Sequence, residues 1–337
     1  MLKAAGMVAV AGFWSDTLFS QLAMAAEEKT LKEEPREKAS PIGQEQIIKG
    51  LDGMSRVAEP GNNTFVQGHG AAAVISSAFF CRDEKLDHDT QKEMLSLMEA
   101  RLLRSRIYEP REKEKAEPEL VQELVKDLDA GIDSLRRSGH NIIFTVLSLK
   151  ALGEVPEAAT PKRIARLRRR IQSFGSERER GPELKDKDTF VDLSDEKKFI
   201  RFIFQEYLKA LDLYLHGKGH HGFAGHVLTV GHAMLELKRM GHEETARKGV
   251  EAYWQFIQQA RNGANLRGRK VADGPADSPR PLSRDYWVEQ TKRGTGSIVS
   301  SHLIKYPYSL YALAKDLGDD ELKQRVLDKI YHLTAVS

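Results

Sequence analysis

The sequence has little cysteine, few aromatic residues and almost no excess charge of either sign. Its 337 residues include one cysteine, Cys81, and a single thiol excludes an intramolecular disulfide and any metal site built from several cysteines. Because Cys81 follows two phenylalanines in an apolar run, we expect it to be a small buried hydrophobic residue. The formal net charge is +3, whereas nucleic-acid-binding proteins usually show a more basic surface. We therefore expect no nucleic-acid partner.

The sequence also lacks the motifs that identify common enzyme classes. Aromatic residues amount to 7%, which counts against carbohydrate and terpenoid sites because these often use many rings. No HExxH helix, haem-attachment CxxCH, phosphate-binding loop, Rossmann glycine pattern or nucleophile elbow is present. The missing HExxH excludes the metalloproteases that this motif defines.

The N-terminal 26 residues have the three-part layout of a secretory signal. Lys3 precedes an apolar stretch over 4–14, and a small-residue A-x-A site follows at 23–25. The apolar stretch is too short to span a membrane. The opening residues 2–6 resemble the part of a twin-arginine signal that follows the arginine pair, although the arginines themselves are absent. A retained amphipathic helix is the alternative interpretation.

This layout predicts the domain organisation and the location. We expect residues 1–26 to direct export, so that the mature protein lies in the periplasm or outside a bacterial cell, with no membrane span after the signal is removed. Residues 27–42 are rich in Glu and Lys, contain prolines and predict a polar linker. Residues 43–337 then form a single domain.

From about residue 43 onward, apolar residues recur at three- and four-residue intervals, as they do in amphipathic helices. Leu124, Leu128 and Ile132 share one helix face in this way. The alternation typical of β-strands is scarce. We predict an all-α protein with helices over 43–57, 69–82, 88–106, 117–136, 140–152, 161–174, 195–215, 222–240, 243–261, 298–316 and 319–334.

Four of the predicted helices begin in a similar way. A histidine beside glycine or serine opens a helix rich in small and aliphatic residues, and a charged amphipathic helix follows after a short turn. The leading histidines are 71, 81 and 81 residues apart, which predicts internal repetition, with a three-helix unit as one interpretation. They are His69, His140, His221 and His302.

Small-residue helices are typical of a core, and charged amphipathic helices are typical of its cover. On the small-residue helix, the Leu-Gly or Met-Gly turn and the amphipathic helix that follows, residues 66–334 resemble the α/α-toroid superfamily, which includes terpenoid cyclases, protein prenyltransferases and several polysaccharide lyases. The resemblance implies repeated helical hairpins arranged as an inner and an outer ring. The Asp-rich terpenoid motif is absent. An α-solenoid or an irregular helical bundle is the alternative fold.

Histidine is the residue type that most directly indicates chemistry here. Six of the eleven histidines fall between His216 and His242, a composition typical of metal binding, and imidazole binds zinc, copper and iron. His232 and Glu236 lie four positions apart on a predicted helix and so share a face. A structural role in turns is the alternative for each histidine. The candidate metal ligands are His69, His140, His221, His226, His232, Glu236 and His302.

Whether the repeat histidines meet depends on helix direction. Four converging helices would place His69, His140, His221 and His302 around one cavity. An odd number of helices per unit would instead alternate the helix directions and split the four into pairs.

A second group of candidates comes from the segment 301–309. His302, Lys305 and Tyr306 occupy adjacent surface of a predicted helix, which we expect Pro307 to kink about one turn earlier. Histidine and tyrosine can share general acid and base roles, and the resemblance to toroid-type polysaccharide lyases implies His and Tyr acting with Asn and Arg. The catalytic candidates are His302, Tyr306, His221 and His140. The substrate-binding candidates are Asn141, Lys305, Trp287 and Arg284, the last two from a long non-periodic stretch over 262–296.

These observations support several functional hypotheses. The first is an exported α/α-toroid enzyme, a lyase or hydrolase, with a histidine-lined cleft and acid/base or metal-assisted chemistry on a carbohydrate or other polar polymer. The alternatives are a non-catalytic histidine-rich metal-binding protein, a terpenoid-cyclase-like protein, and a helical-repeat scaffold that binds another protein. The expected cofactor is zinc, copper or iron, and the expected partner is a small-molecule or polymer ligand.

Overall fold

The computed structural model describes residues 39–62, 64–110, 114–174, 191–219, 221–262 and 280–334. Within these ranges the protein is all-α and has no β-strand, as the periodicity predicts. The helices are α1 (Gln44–Arg56), α2 (Thr64–Asp83), α3 (His88–Arg101), α4 (Val121–Asp129), α5 (His140–Glu154), α6 (Pro161–Gln172), α7 (Glu196–Leu215), α8 (His221–Arg239), α9 (Glu243–Asn262), α10 (Arg284–Arg293), α11 (Ser297–Asp316), α12 (Asp320–Asp328) and α13 (Ile330–Thr334). Short 3₁₀ turns lie at Arg106–Tyr108, Pro118–Leu120 and Pro156–Ala158.

Four helices form the centre of the molecule. Helices α2, α5, α8 and α11 each contain an unbroken run of buried residues, over 68–81, 140–149, 224–235 and 300–311. A helix that is apolar on all sides must be surrounded by other elements. These four contact one another in a cycle, α2 on α5, α5 on α8, α8 on α11 and α11 on α2.

The four central helices run in the same direction. Histidines near their beginnings meet at one level, as described below. Further along, Lys150 of α5 donates a hydrogen bond to the Tyr308 hydroxyl of α11 (2.9 Å), pairs with Glu236 of α8, and lies 5.0 Å from the ring centroid of Phe79 in α2. Both ends therefore coincide, and the central helices are parallel.

This parallel arrangement corrects the expectation that three helices per unit would alternate direction. Two α-helices separate each central helix from the next along the chain, yet the directions agree. The connecting segments, such as 102–120 between α3 and α4, are long enough to return the chain to the starting level. Helix count alone does not set direction.

Most of the remaining helices pack on this centre. α1 packs on α2, α4 and α6 on α5, α7 and α9 on α8, and α3 on α11. Helix α6 shows the pattern clearly: Ile164, Leu167 and Ile171 are buried, while its basic side chains pair with acids of neighbouring elements, as Arg168 does with Asp127 at 2.7 Å. The basic stretch of this helix is therefore largely occupied by internal ion pairs.

One helix was not expected from the sequence. Residues 284–293, predicted to be part of a long non-periodic stretch, form α10, which packs on α3. The aromatic pair in this segment is internal: Tyr286 is 1% and Trp287 0% exposed. The signal was missed because the short apolar face of α10 lies between Pro281 and Gly294.

The sequence-derived export signal (1–26) lies outside the described residues, as do 27–38 of the expected polar linker, residues 175–190, residues 263–279 of the long non-periodic stretch, and His220. The described residues from Ser40 onward form one compact unit. None of the described helices has the length and apolarity needed to cross a membrane. Cys81 is buried beside the Met94 sulfur, and burial raises the pKa of its thiol, in keeping with a packing role.

Candidate metal centre

Four histidines, one from each central helix, form a ring near the helix beginnings. The centroids of neighbouring imidazoles are 4.3 Å apart for His69 and His140, 4.6 Å for His140 and His226, 5.9 Å for His226 and His302, and 5.1 Å for His302 and His69. All four are buried, with 1–7% of their surface exposed. The helix beginnings thus converge on a cluster of imidazoles.

Three of these histidines are close enough to share one ion. One nitrogen each from His69, His140 and His226 lies within 4.8 Å of the others. The chain therefore brings together three of the predicted metal ligands, including His140, which was also a catalytic candidate. His302 flanks this set through its ring contacts with His69 and His226.

Hydrogen bonds to the backbone fix the tautomers of two of these rings. The Nδ1 of His69 lies 2.8 Å from the Phe65 carbonyl oxygen, and the Nδ1 of His140 contacts the Arg137 carbonyl oxygen. A carbonyl oxygen can only accept, so each Nδ1 carries the proton. The Nε2 of each neutral ring then holds a lone pair. This is the orientation that metal-ligating histidines commonly have.

The two bare nitrogens face each other. The Nε2 of His69 and the Nε2 of His140 are 2.8 Å apart. Two lone pairs at this separation repel unless the two nitrogens share a proton or both bind one metal ion that lies to the side of the pair. A positive charge bound by both nitrogens would therefore stabilise the contact between His69 and His140.

The surroundings disfavour protonation of the His69 and His140 rings. Burial lowers the pKa of His69 well below its usual range, and the Lys305 ammonium lowers it further. Burial likewise lowers the pKa of His140, with His69, His226 and Lys305 as additional causes. The neutral rings that result are the form that binds metal ions.

His302 stacks on Tyr306 beside the metal-ligand set. Their rings are 4.5 Å apart and nearly parallel, at 12°. Tyr306 is fully buried, and burial raises the pKa of its hydroxyl. The ring passes over Gly225, where a Cβ atom would lie 2.1 Å from Cζ of Tyr306. A glycine is needed there to admit the tyrosine.

The other predicted acid/base pair lies one to three turns further along the central helices. His232 Nε2 is 3.7 Å from Glu236 Oε1, and its Nδ1 is 3.2 Å from the Ser309 hydroxyl. Lys305 lies between the two sites: its ammonium acts on the pKa of His69 and His140, and its side chain lines a cavity of about 20 Å³ that His232 and Glu236 also line.

The remaining candidates lie elsewhere or cannot be placed. Asn141 stabilises the turn before α5, since its side chain accepts from the Arg136 N–H (3.0 Å) and donates to the Ser134 carbonyl. Trp287 donates to the Pro281 carbonyl, and Arg284 pairs with Glu93 on the surface. The side chain of His221 lies outside the described part of the structure, although the helix that it begins is described.

The fourth ring of the cluster comes from His226, whereas the sequence repeat suggested His221 for that position. His69, His226 and His302 are each the sixth residue of their helix, and so their side chains reach the same level. A Gly-His pair precedes the apolar run at 68–69, 139–140 and 225–226. The same pair also occurs at 219–220, 231–232 and 241–242, so it does not by itself identify His226.

Comparison with known proteins finds no relative of this chain. No protein-family model matches the chain, and searches of curated proteins and of solved structures found no match.

Proposed function

We propose that this protein binds one transition metal ion through His69, His140 and His226. The observation that carries the proposal is the pair of Nε2 atoms 2.8 Å apart on rings whose Nδ1 atoms are both committed to backbone carbonyls. A metal ion accepts both lone pairs, and a third imidazole lies beside them.

The donor set narrows the choice of metal. Three imidazoles suit zinc, copper and iron, whereas calcium and magnesium require oxygen ligands. Metal–nitrogen distances for zinc are about 2.0–2.1 Å, so only small ring movements are needed to reach all three nitrogens from one point. Three protein ligands leave at least one coordination position for water or a small ligand.

Metal content of the purified protein tests this proposal. We expect about one zinc, copper or iron per chain when the protein is made without a histidine tag and analysed by elemental mass spectrometry. Since altering a group that only hydrogen-bonds to a metal ligand already costs roughly 10–100-fold in metal affinity, the His140→Ala variant, which lacks a direct ligand, should lose at least as much.

A surface histidine provides the matched control. His216 has 59% of its side chain exposed and pairs with Asp212, so the His216→Ala variant should keep the wild-type stoichiometry and affinity. Equal metal binding by the His140→Ala and wild-type proteins, or a wild-type protein that takes up no metal after loading with zinc, copper and iron, would refute the proposal.

A second candidate function is metal-assisted acid/base catalysis. It is favoured by the stacked His302 and Tyr306 beside the ligand set, because both side chains can transfer protons. His302 is 6% and Tyr306 0% exposed, so a small substrate fits this site better than a polymer does. Turnover of a small ester or carbonate by the zinc-loaded protein, lost in the Tyr306→Phe variant, would support catalysis; equal rates would contradict it.

The architecture and location remain part of the proposal. We infer an α/α-toroid arrangement from the parallel central helices and their amphipathic cover, to be checked by an experimental structure. Export through residues 1–26 is supported by their composition. N-terminal sequencing of the protein recovered from its native cells should begin near residue 26, and a chain that retains Met1 would argue against export.

A further inference from the structure

The metal-ligand set (His69, His140 and His226) has three members, whereas all four central helices present a histidine beside it. His302 is the sixth residue of α11, as His69 and His226 are of α2 and α8. The centroid of its imidazole lies 5.1 Å from that of His69 and 5.9 Å from that of His226. His302 thus bridges the two ends of the metal-ligand set.

These spacings agree with the geometry of imidazoles bound to one ion. A zinc–nitrogen bond of about 2.0–2.1 Å places the centroid of a ligating imidazole about 3.2 Å from the ion. Two such rings at the tetrahedral angle have their centroids about 5.2 Å apart, and two at a right angle about 4.5 Å apart. The four neighbouring distances, from 4.3 to 5.9 Å, lie around these values. The position of the His302 ring therefore suits a fourth ligand.

The other aromatic side chains around the metal-ligand set are poor ligands. In the described structure, the rings that contact the set belong to Phe65, Phe144, Phe256, Tyr306 and His302. Phenylalanine offers no ligand atom. Tyrosine binds metal ions as the phenolate, which burial disfavours at Tyr306 because it raises the pKa of the hydroxyl. His302 is the nitrogen donor among these neighbours.

Binding through His302 requires a rotation of its ring. The nitrogens that already lie within 4.8 Å of one another belong to the other three histidines, and the His302 ring is stacked on Tyr306 at 4.5 Å. Rotation about the Cβ–Cγ bond of histidine is soft, because this torsion has broad rather than sharp minima. An ion held by the other three imidazoles supplies the attraction that turns the fourth towards it.

We propose that His302 is the fourth ligand, so that one histidine from each central helix holds the metal ion in a closed, structural site. This inference rests on the proposed metal site. Zinc sites filled by four protein side chains are typically structural, whereas catalytic sites keep a position for water. The ion joins four helices whose histidines are at least 71 residues apart in the sequence. A ligated His302 is not available for proton transfer, so this inference and catalysis through His302 exclude each other.

Nuclear magnetic resonance counts the imidazoles that bind zinc. The full chain is made without a histidine tag and with ¹⁵N-labelled histidine, its zinc content is measured, and long-range ¹H–¹⁵N spectra are recorded before and after zinc loading. We expect the nitrogen resonances of four imidazoles to move to the position of metal-bound nitrogen. Three such imidazoles would overturn the assignment of His302 while leaving the metal site intact. A chain that takes up no zinc, copper or iron would overturn both, and its metal content shows this before any spectrum is recorded.

The His302→Gly variant identifies the fourth ligand. It should show three bound imidazoles and bind zinc at least tenfold more weakly, and added imidazole, which fits the space left by the missing side chain, should restore most of the affinity. Unchanged zinc affinity in this variant would contradict the assignment. If the variant does not fold, the count in the wild-type protein still decides.

A second buried histidine serves as the control. His332 lies in α13 and is 6% exposed, as His302 is, so the His332→Gly variant should keep four bound imidazoles and the wild-type affinity. Zinc should also raise the melting temperature of the wild-type protein, because an ion that binds only the folded state stabilises it, and should raise that of the His302→Gly variant less. An equal rise in both proteins would overturn the structural role of His302.

Discussion

The contact between Gly225 and Tyr306 gives the sharpest test of how the central helices pack. A methyl group at position 225 would lie 2.1 Å from Cζ of Tyr306 and 2.4 Å from the two adjoining ring carbons. The ring has no free space to move into, because it is fully buried and stacked on His302. We therefore predict that the Gly225→Ala variant is destabilised.

The expected magnitude is the difference of two opposing effects. Overpacking of a filled core costs about 1–3 kcal/mol. Replacing glycine by alanine inside a helix contributes up to about 1 kcal/mol of stability. The Gly225→Ala variant should therefore lose up to about 2 kcal/mol of unfolding free energy, although the substitution would stabilise an isolated helix.

Urea unfolding followed by circular dichroism measures this loss, and another helical glycine provides the control. Gly153 lies near the end of α5 and has no atom within 4 Å of the position that a Cβ would take. The Gly153→Ala variant should be as stable as the wild-type protein or more stable by about 0.5–1 kcal/mol.

A Gly225→Ala variant that is at least as stable as the wild-type protein would refute the reasoning. It would mean that the Tyr306 ring and the α8–α11 spacing adapt at little cost. The stacking of Tyr306 on His302 would then have no role in shaping the site.

Two further predictions concern one buried and one partly buried ion pair. The Asp52→Ala variant leaves the Arg163 guanidinium buried without its 2.6 Å partner and should lose about 3–5 kcal/mol of unfolding free energy in urea; the Asp52→Leu/Arg163→Met double variant should lie closer to the wild-type protein, and an equal or larger loss in it would contradict this account. Burial alone would raise the pKa of Glu236, but His232 and Lys150 outweigh it and hold this pKa far below the usual value. Because unfolded chains protonate this carboxyl near about pH 4.3 while the folded protein keeps it ionised, its stabilising effect is present above that pH and is lost as the pH falls. The difference in melting temperature between the wild-type protein and the Glu236→Gln variant should therefore be largest near pH 7 and shrink from pH 5 towards pH 3, and a difference that stays constant would contradict it.

Much of the helical structure was predictable because helix periodicity is a local property. Apolar residues at three- and four-residue intervals mark α6 and α9 with nearly correct ends, and the runs of small and aliphatic residues mark α5 and α8 as central helices. One exception is the predicted helix 117–136, of which only Val121–Asp129 is α-helical. Another is α10, which has a short apolar face between Pro281 and Gly294, and its burial depends on α3, which is distant in the sequence.

For the candidate metal centre, the sequence predicted that histidines are the ligands but not which histidine of α8 joins the others. The repeat identified His69, His140 and His302, and composition identified His226 among the possible ligands. The choice of His226 over His221 for the ring depends on where α8 begins, since five residues are more than one turn and move a side chain by about 7.5 Å along the helix axis.

The sequence by itself determined that the described chain is helical, which helices are apolar enough to lie inside, and that histidines stand near their beginnings. Tertiary structure alone decided that these helices run parallel, that two Nε2 atoms face each other across 2.8 Å, and that Lys305 is buried with no carboxylate partner among the described residues. The reason is the range of the interactions concerned. Periodicity and propensity act within a few residues, whereas helix direction and the electrostatic surroundings of a buried side chain are set by segments that lie 70 or more residues apart in the sequence.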